Sequence, residues 1–205
     1  MYGCTPYLQD SKKACELYKV AIKFEVNSLQ KTCRQFLNEL KVEPSNVFEI
    51  LDASKYMGNK SRTDVCLKLI QEHTKEVMEA YDLPGTSSSM IEIYLDLPKM
   101  SLSSEYEFLE WVFSWAKMKC EESNQYSNVR EVLEQFLPKL NFLALSNKDF
   151  ATLCSQWPNF FTDDEIISIF MNIGVHGSKK MPDWFDEKVP VRIYNASTSV
   201  TTASD

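Results

Sequence analysis

Glycine is scarce in this sequence, at 5 of 205 residues. Hairpin-rich β folds draw on glycine for their turns, so the shortage points to helices. Only Gly174 and Gly177 lie close together, outside any strand-to-helix setting, so no phosphate-cradling nucleotide loop is present. No run of Lys or Arg exceeds two and the formal net charge is -7, which leaves no basic face for nucleic acid. There is no N-terminal apolar leader and no apolar run long enough to span a bilayer, so the sequence predicts neither a secreted nor a membrane-spanning chain. The glycosylation sequons at Asn59 and Asn195 then carry no weight. Cysteines occur at 4, 15, 33, 66, 120 and 154, with no C-x-x-C and neither His73 nor His176 paired with them. A structural zinc needs three or four converging ligands, so no metal and no cofactor is expected. Cys15, Cys33, Cys66 and Cys154 sit among apolar residues at helical spacing, where they act as small buried hydrophobes in a reducing compartment.

What the sequence does have is a repeat. Residues 16–37, ELYKVAIKFEVNSLQKTCRQFL, and 49–70, EILDASKYMGNKSRTDVCLKLI, match when shifted by 33. The shift puts Glu16 on Glu49, Phe24 on Met57, Ser28 on Ser61 and Cys33 on Cys66. Each copy reads as a helix, a short polar turn and a second helix, and such a hairpin must stack to bury its apolar face. Cys33 and Cys66 are therefore expected at equivalent buried positions, both unpaired. The 33-residue period also suits ankyrin or tetratricopeptide arrays, but only two copies exist and no Thr-Pro-Leu-His motif occurs, so those readings are weaker.

Apolar periodicity predicts helices over 12–24, 28–40 with Ser28 as N-cap, 44–56 opening at Pro44, 62–73 capped by Ser61, and 74–81. The stretch Leu83 to Ser89 reads as a mobile loop, followed by helices at 89–95 and 104–121. The latter is the longest, and its Phe108, Trp111, Phe113 and Trp115 read as core rather than as a ligand box. Further helices are predicted over 128–137, stopped by Pro138, over 147–156 and over 163–172. Thr162 and Glu165 form a capping box for the last, and Asp163 and Asp164 suit the positive end of its dipole rather than a metal or acid/base pair. Trp157 and Phe160-Phe161 read as a hydrophobic staple onto that helix. After Gly174 the periodicity fails, and the Ser/Thr-rich tail 195–205 reads as disordered. No acid, base and nucleophile assemble, and His73 reads as a helix-end residue, so the chain is not expected to be an enzyme.

The segment CELYKVAIKFEVNSLQKTCRQFL resembles the closing helix pair of a BTB/POZ domain. VEPSNVFEILDASKYMGNKSRTDVCLKLIQEH resembles the opening hairpin of the BACK domain that follows it, and YEFLEWVFSWAKMKCEE resembles its tryptophan-bearing helix. NFFTDDEIISIFMNIG resembles the segment that closes BACK ahead of a PHR β-sandwich in the subfamily related to BTB domain-containing proteins two, three and six. The resemblance implies an all-α chain of stacked hairpins, with a remnant BTB helix pair at 1–41, a BACK-like domain at 42–175 and an irregular connector and tail at 176–205. The chain thus reads as truncated within BTB and ahead of any PHR domain.

By the same resemblance the implied function is that of a non-enzymatic adaptor of cullin-3 RING ubiquitin ligases, in the cytoplasm and with the nucleus as a second location. The partners are the cullin-3 N-terminal region and a substrate protein, with no nucleic acid and no membrane. A helical scaffold without a ligase link, or a regulatory fragment of a BTB/BACK protein, is the alternative. The expected partner-binding residues are the first hairpin turn, Phe24, Glu25 and Val26, and the apolar edge of the second hairpin, Phe48, Leu51, Tyr56 and Met57. With the BTB dimer surface missing, a monomer or a weak associate is expected.

Overall fold

The computed structural model describes residues 8, 10–122, 128–186, 188–189 and 191–195, and divides into two compact units, Met1–Ala80 and Tyr81–Asp205. The chain is all-α apart from two two-residue strands among the described residues. No helix among those residues is long and apolar enough to cross a membrane.

The first unit holds α1 (Ser11–Lys23), α2 (Asn27–Glu39), α3 (Val47–Tyr56) and α4 (Lys60–Glu72). Helices α2 and α4 are offset by 33 residues at both ends, so the repeat seen in sequence is a repeat of structure. Helix α1 packs on α2, α3 on α4, and α1 also on α3. Ala14, Cys15, Tyr18, Cys33, Leu37 and Ala53 form one buried cluster. Cys33 and Cys66 are fully buried and free, as expected. Burial lifts the thiols of Cys15 and Cys66 to about 11, although Lys19 and Arg62 respectively pull the other way, so both stay protonated at neutral pH. Lys19 bridges Asp52, its own counterpart in the second copy.

Local starts differ from expectation where side chains compete for them. Ser28 does not cap α2, which begins one residue earlier after Val26 and has no side-chain cap. Asn59, not Ser61, caps α4 by accepting from the Arg62 amide at 3.2 Å. Helix α3 starts at Val47 rather than Pro44, because Asn46 ties down the preceding turn through the Glu43 amide at 2.9 Å and the Lys41 carbonyl at 3.1 Å.

Both hairpin turns close identically. The Val26 amide donates to Ala21 O at 2.9 Å and that of Glu25 to Ile22 O at 3.1 Å. Asn59 likewise donates to Ser54 O at 2.9 Å and Gly58 to Lys55 O at 3.1 Å. This paired closure puts the residue after the helix cap in the left-handed region, at φ 66° for Gly58 but at φ 55° for Glu25. A side chain there costs about 1 kcal/mol relative to glycine. Glu25→Gly is thus expected to stabilise the first unit by about 1 kcal/mol, slowing labelling of the Cys33 thiol in the native state about fivefold. Labelling at an unchanged rate would contradict it.

Helix α5 (Thr74–Gly85) carries a break at Asp82, φ 46°, whose Oδ1 accepts from the Gly85 amide at 2.7 Å. That cap lets Pro84 sit in a fresh helical turn, so Leu83 to Gly85 is helical and not the predicted loop. Helix α6 (Ser88–Leu95), strand β1 (Lys99–Met100) and α7 (Glu105–Glu122) follow. Of the predicted core aromatics of α7, Phe108, Phe113 and Trp115 are buried while Trp111 is half-buried, and Trp115 Nε1 donates to Thr86 O at 2.9 Å. Helix α8 (Val129–Leu133) is shorter than expected, because the chain tightens into a 3-10 turn over Glu134–Lys139 that accommodates Pro138. After a 3-10 turn at Phe142–Ala144 come α9 (Asn147–Gln156) and α10 (Asp163–Gly174), the latter opened by the full Thr162/Glu165 capping box. Phe160 and Phe161 join an aromatic core: Phe160 lies tilted against Phe113 at 4.5 Å and Phe161 meets Phe142 edge-on at 5.1 Å between ring centroids.

Periodicity fails after Gly174, yet structure does not. Strand β2 (Ile193–Tyr194) pairs in parallel with β1, the Ile193 amide donating to Pro98 O at 3.0 Å and that of Asn195 to Met100 O at 3.1 Å. Between them Arg192 turns inward to Glu105, Nη1 to Oε1 2.8 Å, both side chains at most 2% exposed. Its Nη2 donates to Leu95 O at 2.8 Å and Lys139 O at 3.0 Å, and its guanidinium lies 5.3 Å from the Phe108 ring centre. Tyr194 donates its hydroxyl to the other Glu105 oxygen, and burial followed by the neighbouring carboxylate raises the tyrosine well above its usual range. Of the tail expected to be disordered, 196–205 lies outside the described residues.

Candidate protein-interaction surface

The structure separates the seven sequence-predicted residues into three groups. Phe48 and Leu51 are buried in the first unit and offer no free surface, because α3 turns those positions inward. Their helical spacing is that of a core stripe, which in sequence looks the same as a docking stripe. Met57 is half-buried against the Tyr18 and Leu37 cluster. Phe24, Glu25, Val26 and Tyr56 are exposed, Phe24 at 67%.

The first hairpin turn is built to hold its apolar side chains out. Val20 on α1 and Phe24, the residue that caps its C-terminus, lie four residues apart and are both exposed, with Val26 following the left-handed Glu25. Lys23 sits 5.9 Å from the Phe24 ring centre. The exposed face of α1 also carries Lys12, Lys13 and Glu16. Sequence reasoning passed over Val20, although its place four residues before Phe24 was the available signal. Tyr56 lies on the second hairpin, four residues after the Asp52 that holds Lys19.

Charge is unevenly shared between the units. Residues 1–80 carry twelve Lys and Arg against eleven Asp and Glu, while 81–205 carry ten against eighteen. Outside the Arg192 pair, Glu165 is also held by several donors. It meets Arg130 Nη2 at 2.9 Å and the Thr162 amide at 2.8 Å, and accepts from Trp184 Nε1. Burial alone would raise this carboxyl, but those donors outweigh burial and hold it below its usual value. Among the described residues no group of three His, Cys, Asp or Glu side chains is placed to hold a metal ion.

The hairpin opening at Val47 and the aromatic helical unit after it coincide with a known domain: the family BACK, BTB And C-terminal Kelch, matches residues 47–155. The chain belongs to the BACK family. The match runs from the first residue of α3 to one residue short of the end of α9. BACK domains occur in Kelch-like cullin-3 adaptors, and adaptors and scaffolds of this kind are generally not enzymes. No curated protein and no solved structure matches the chain.

Proposed function

We propose that this BACK protein is a non-enzymatic adaptor of a cullin-3 RING ubiquitin ligase. Its first hairpin would contact the cullin-3 N-terminal region, and the second unit would carry the substrate protein. The observation that supports this most is the BACK match itself, joined to the exposed Phe24, Val26 and Tyr56 just upstream of and inside it. We read α1 and α2 as the closing helix pair of a BTB domain and the site of action as the cytoplasm, with the nucleus as a second location.

Calorimetry with the purified cullin-3 N-terminal domain tests the proposal. Phe24→Ala together with Tyr56→Ala removes two exposed anchors and leaves the core intact. A loss of about 2 kcal/mol is expected if one of them is a central anchor, which is about thirtyfold in affinity. No binding by the unaltered chain would favour a scaffold with no ligase link, and binding untouched by the pair would place the contact elsewhere.

A further inference from the structure

A second exposed apolar face lies outside the matched domain, on α10. Ile167 and Met171 lie four residues apart on it, 48% and 46% exposed, and the extended residue that ends the helix, Val175, is 67% exposed. On the same face Gly174 is exposed and has nothing within 4 Å of where a Cβ would stand. The opposite face fixes the helix in place. Ser168, Ile169 and Asn172 are buried, Phe170 packs on Phe150 at 5.1 Å between ring centroids, and Asn172 Nδ2 reaches Lys179 O at 2.7 Å. The stripe is therefore presented already ordered, which lowers the entropic cost of docking.

We propose that this face of α10 receives a basic amphipathic helix of a partner protein. The spacing Ile167, Met171, Gly174 is the alternating four and three of a two-helix seam, so it fits a partner with apolar residues at the same intervals. Met171 supplies an adaptable surface for such a helix. Charge decides its chemistry. Asp163 and Asp164 stand exposed at the head of the stripe, within a unit whose acidic residues outnumber its basic ones eighteen to ten. Glu165 is consumed internally by Arg130 and Trp184, whereas Asp164 is 95% exposed and met only by Lys179 at 3.4 Å among the described residues. A Lys or Arg flanking the partner's apolar positions displaces that surface contact at little cost, while an acidic partner meets like charge. The adaptor reading gives no such face a role, and the inference stands without it.

Fluorescence anisotropy on the full chain decides it, using a synthetic heptad helix with Leu at a and d and Lys at e and g, and a second peptide with Glu in place of Lys. The Lys peptide is expected to bind at least tenfold tighter. Met171→Glu should weaken it at least tenfold with an unchanged thermal melt. Asp163→Asn with Asp164→Asn, which keeps the helix start, should narrow the difference between the peptides and flatten the loss of binding between about 0.05 and about 0.3 M salt. Equal binding of the two peptides overturns the proposal. So does Lys-peptide binding that survives Met171→Glu, since that would be diffuse attraction to an acidic surface. Self-association of the chain that Met171→Glu abolishes also overturns it, the occupant then being a second copy.

Discussion

Arg192→Ala is expected to remove about 3–5 kcal/mol from the stability of the second unit, the cost of leaving one member of a buried ion pair without its partner. Three features put the effect at the upper end of that range. Glu105 is buried with it, the Leu95 and Lys139 carbonyls lose the Nη2 donor, and the guanidinium no longer covers Phe108. Domains of this kind hold about 5–15 kcal/mol in total, so the loss is large. All four tryptophans, Trp111, Trp115, Trp157 and Trp184, lie after residue 80, so tryptophan emission during a urea titration follows this unit alone. Replacing both partners, Arg192→Met with Glu105→Leu, should restore much of the loss, because an apolar pair leaves no charge stranded. A single variant that melts with the parent would mean that Glu105 finds water or another donor.

The second large effect is expected at Phe142. Its ring meets Phe113 and Phe150 at 6.5 Å, Phe161 at 5.1 Å and Trp184 at 5.9 Å, so it joins α7, α9, the start of α10 and the segment after it. Phe142→Ala leaves a void that four rings cannot close together, and should cost about 3–5 kcal/mol. The same emission titration reads it, and Trp184, which loses a ring neighbour, should also shift in wavelength before unfolding begins. A midpoint within error of the parent would mean that the cluster collapses into the void.

How much of this was legible in the sequence depends on what kind of force set each element. Helices held by an apolar stripe and a side-chain cap were read nearly to the residue: 147–156 matches α9, and the Thr162 to Glu165 box matches the start of α10. The starts of α2, α3 and α4 shifted by one to three residues, where Val26, Asn46 and Asn59 rather than the expected residues stand at the boundary. The Ile193–Tyr194 strand went unread, since two residues are too few to separate from loop by alternation. Nothing local marks Arg192 as buried, because its partner lies 87 residues earlier. The candidate surface was half legible for the same reason. Phe24 and Phe48 look alike in sequence, and only tertiary packing sends one outward and the other into the core.

The 87-residue separation of Glu105 from Arg192 also orders events on the ribosome. The contacts of the first unit lie within residues 1–80, as between Cys15 and Asp52, 37 residues apart, so its hairpins can form while synthesis continues. The second unit cannot complete its centre until Arg192 emerges, and at about 5–20 residues per second that is several seconds after Glu105 has left the tunnel. Through that interval α7 exposes its aromatic face beside a carboxylate with no cation to meet it. The nascent chain is then at its most adhesive when the first unit is already folded, and that window is when a chaperone would find it.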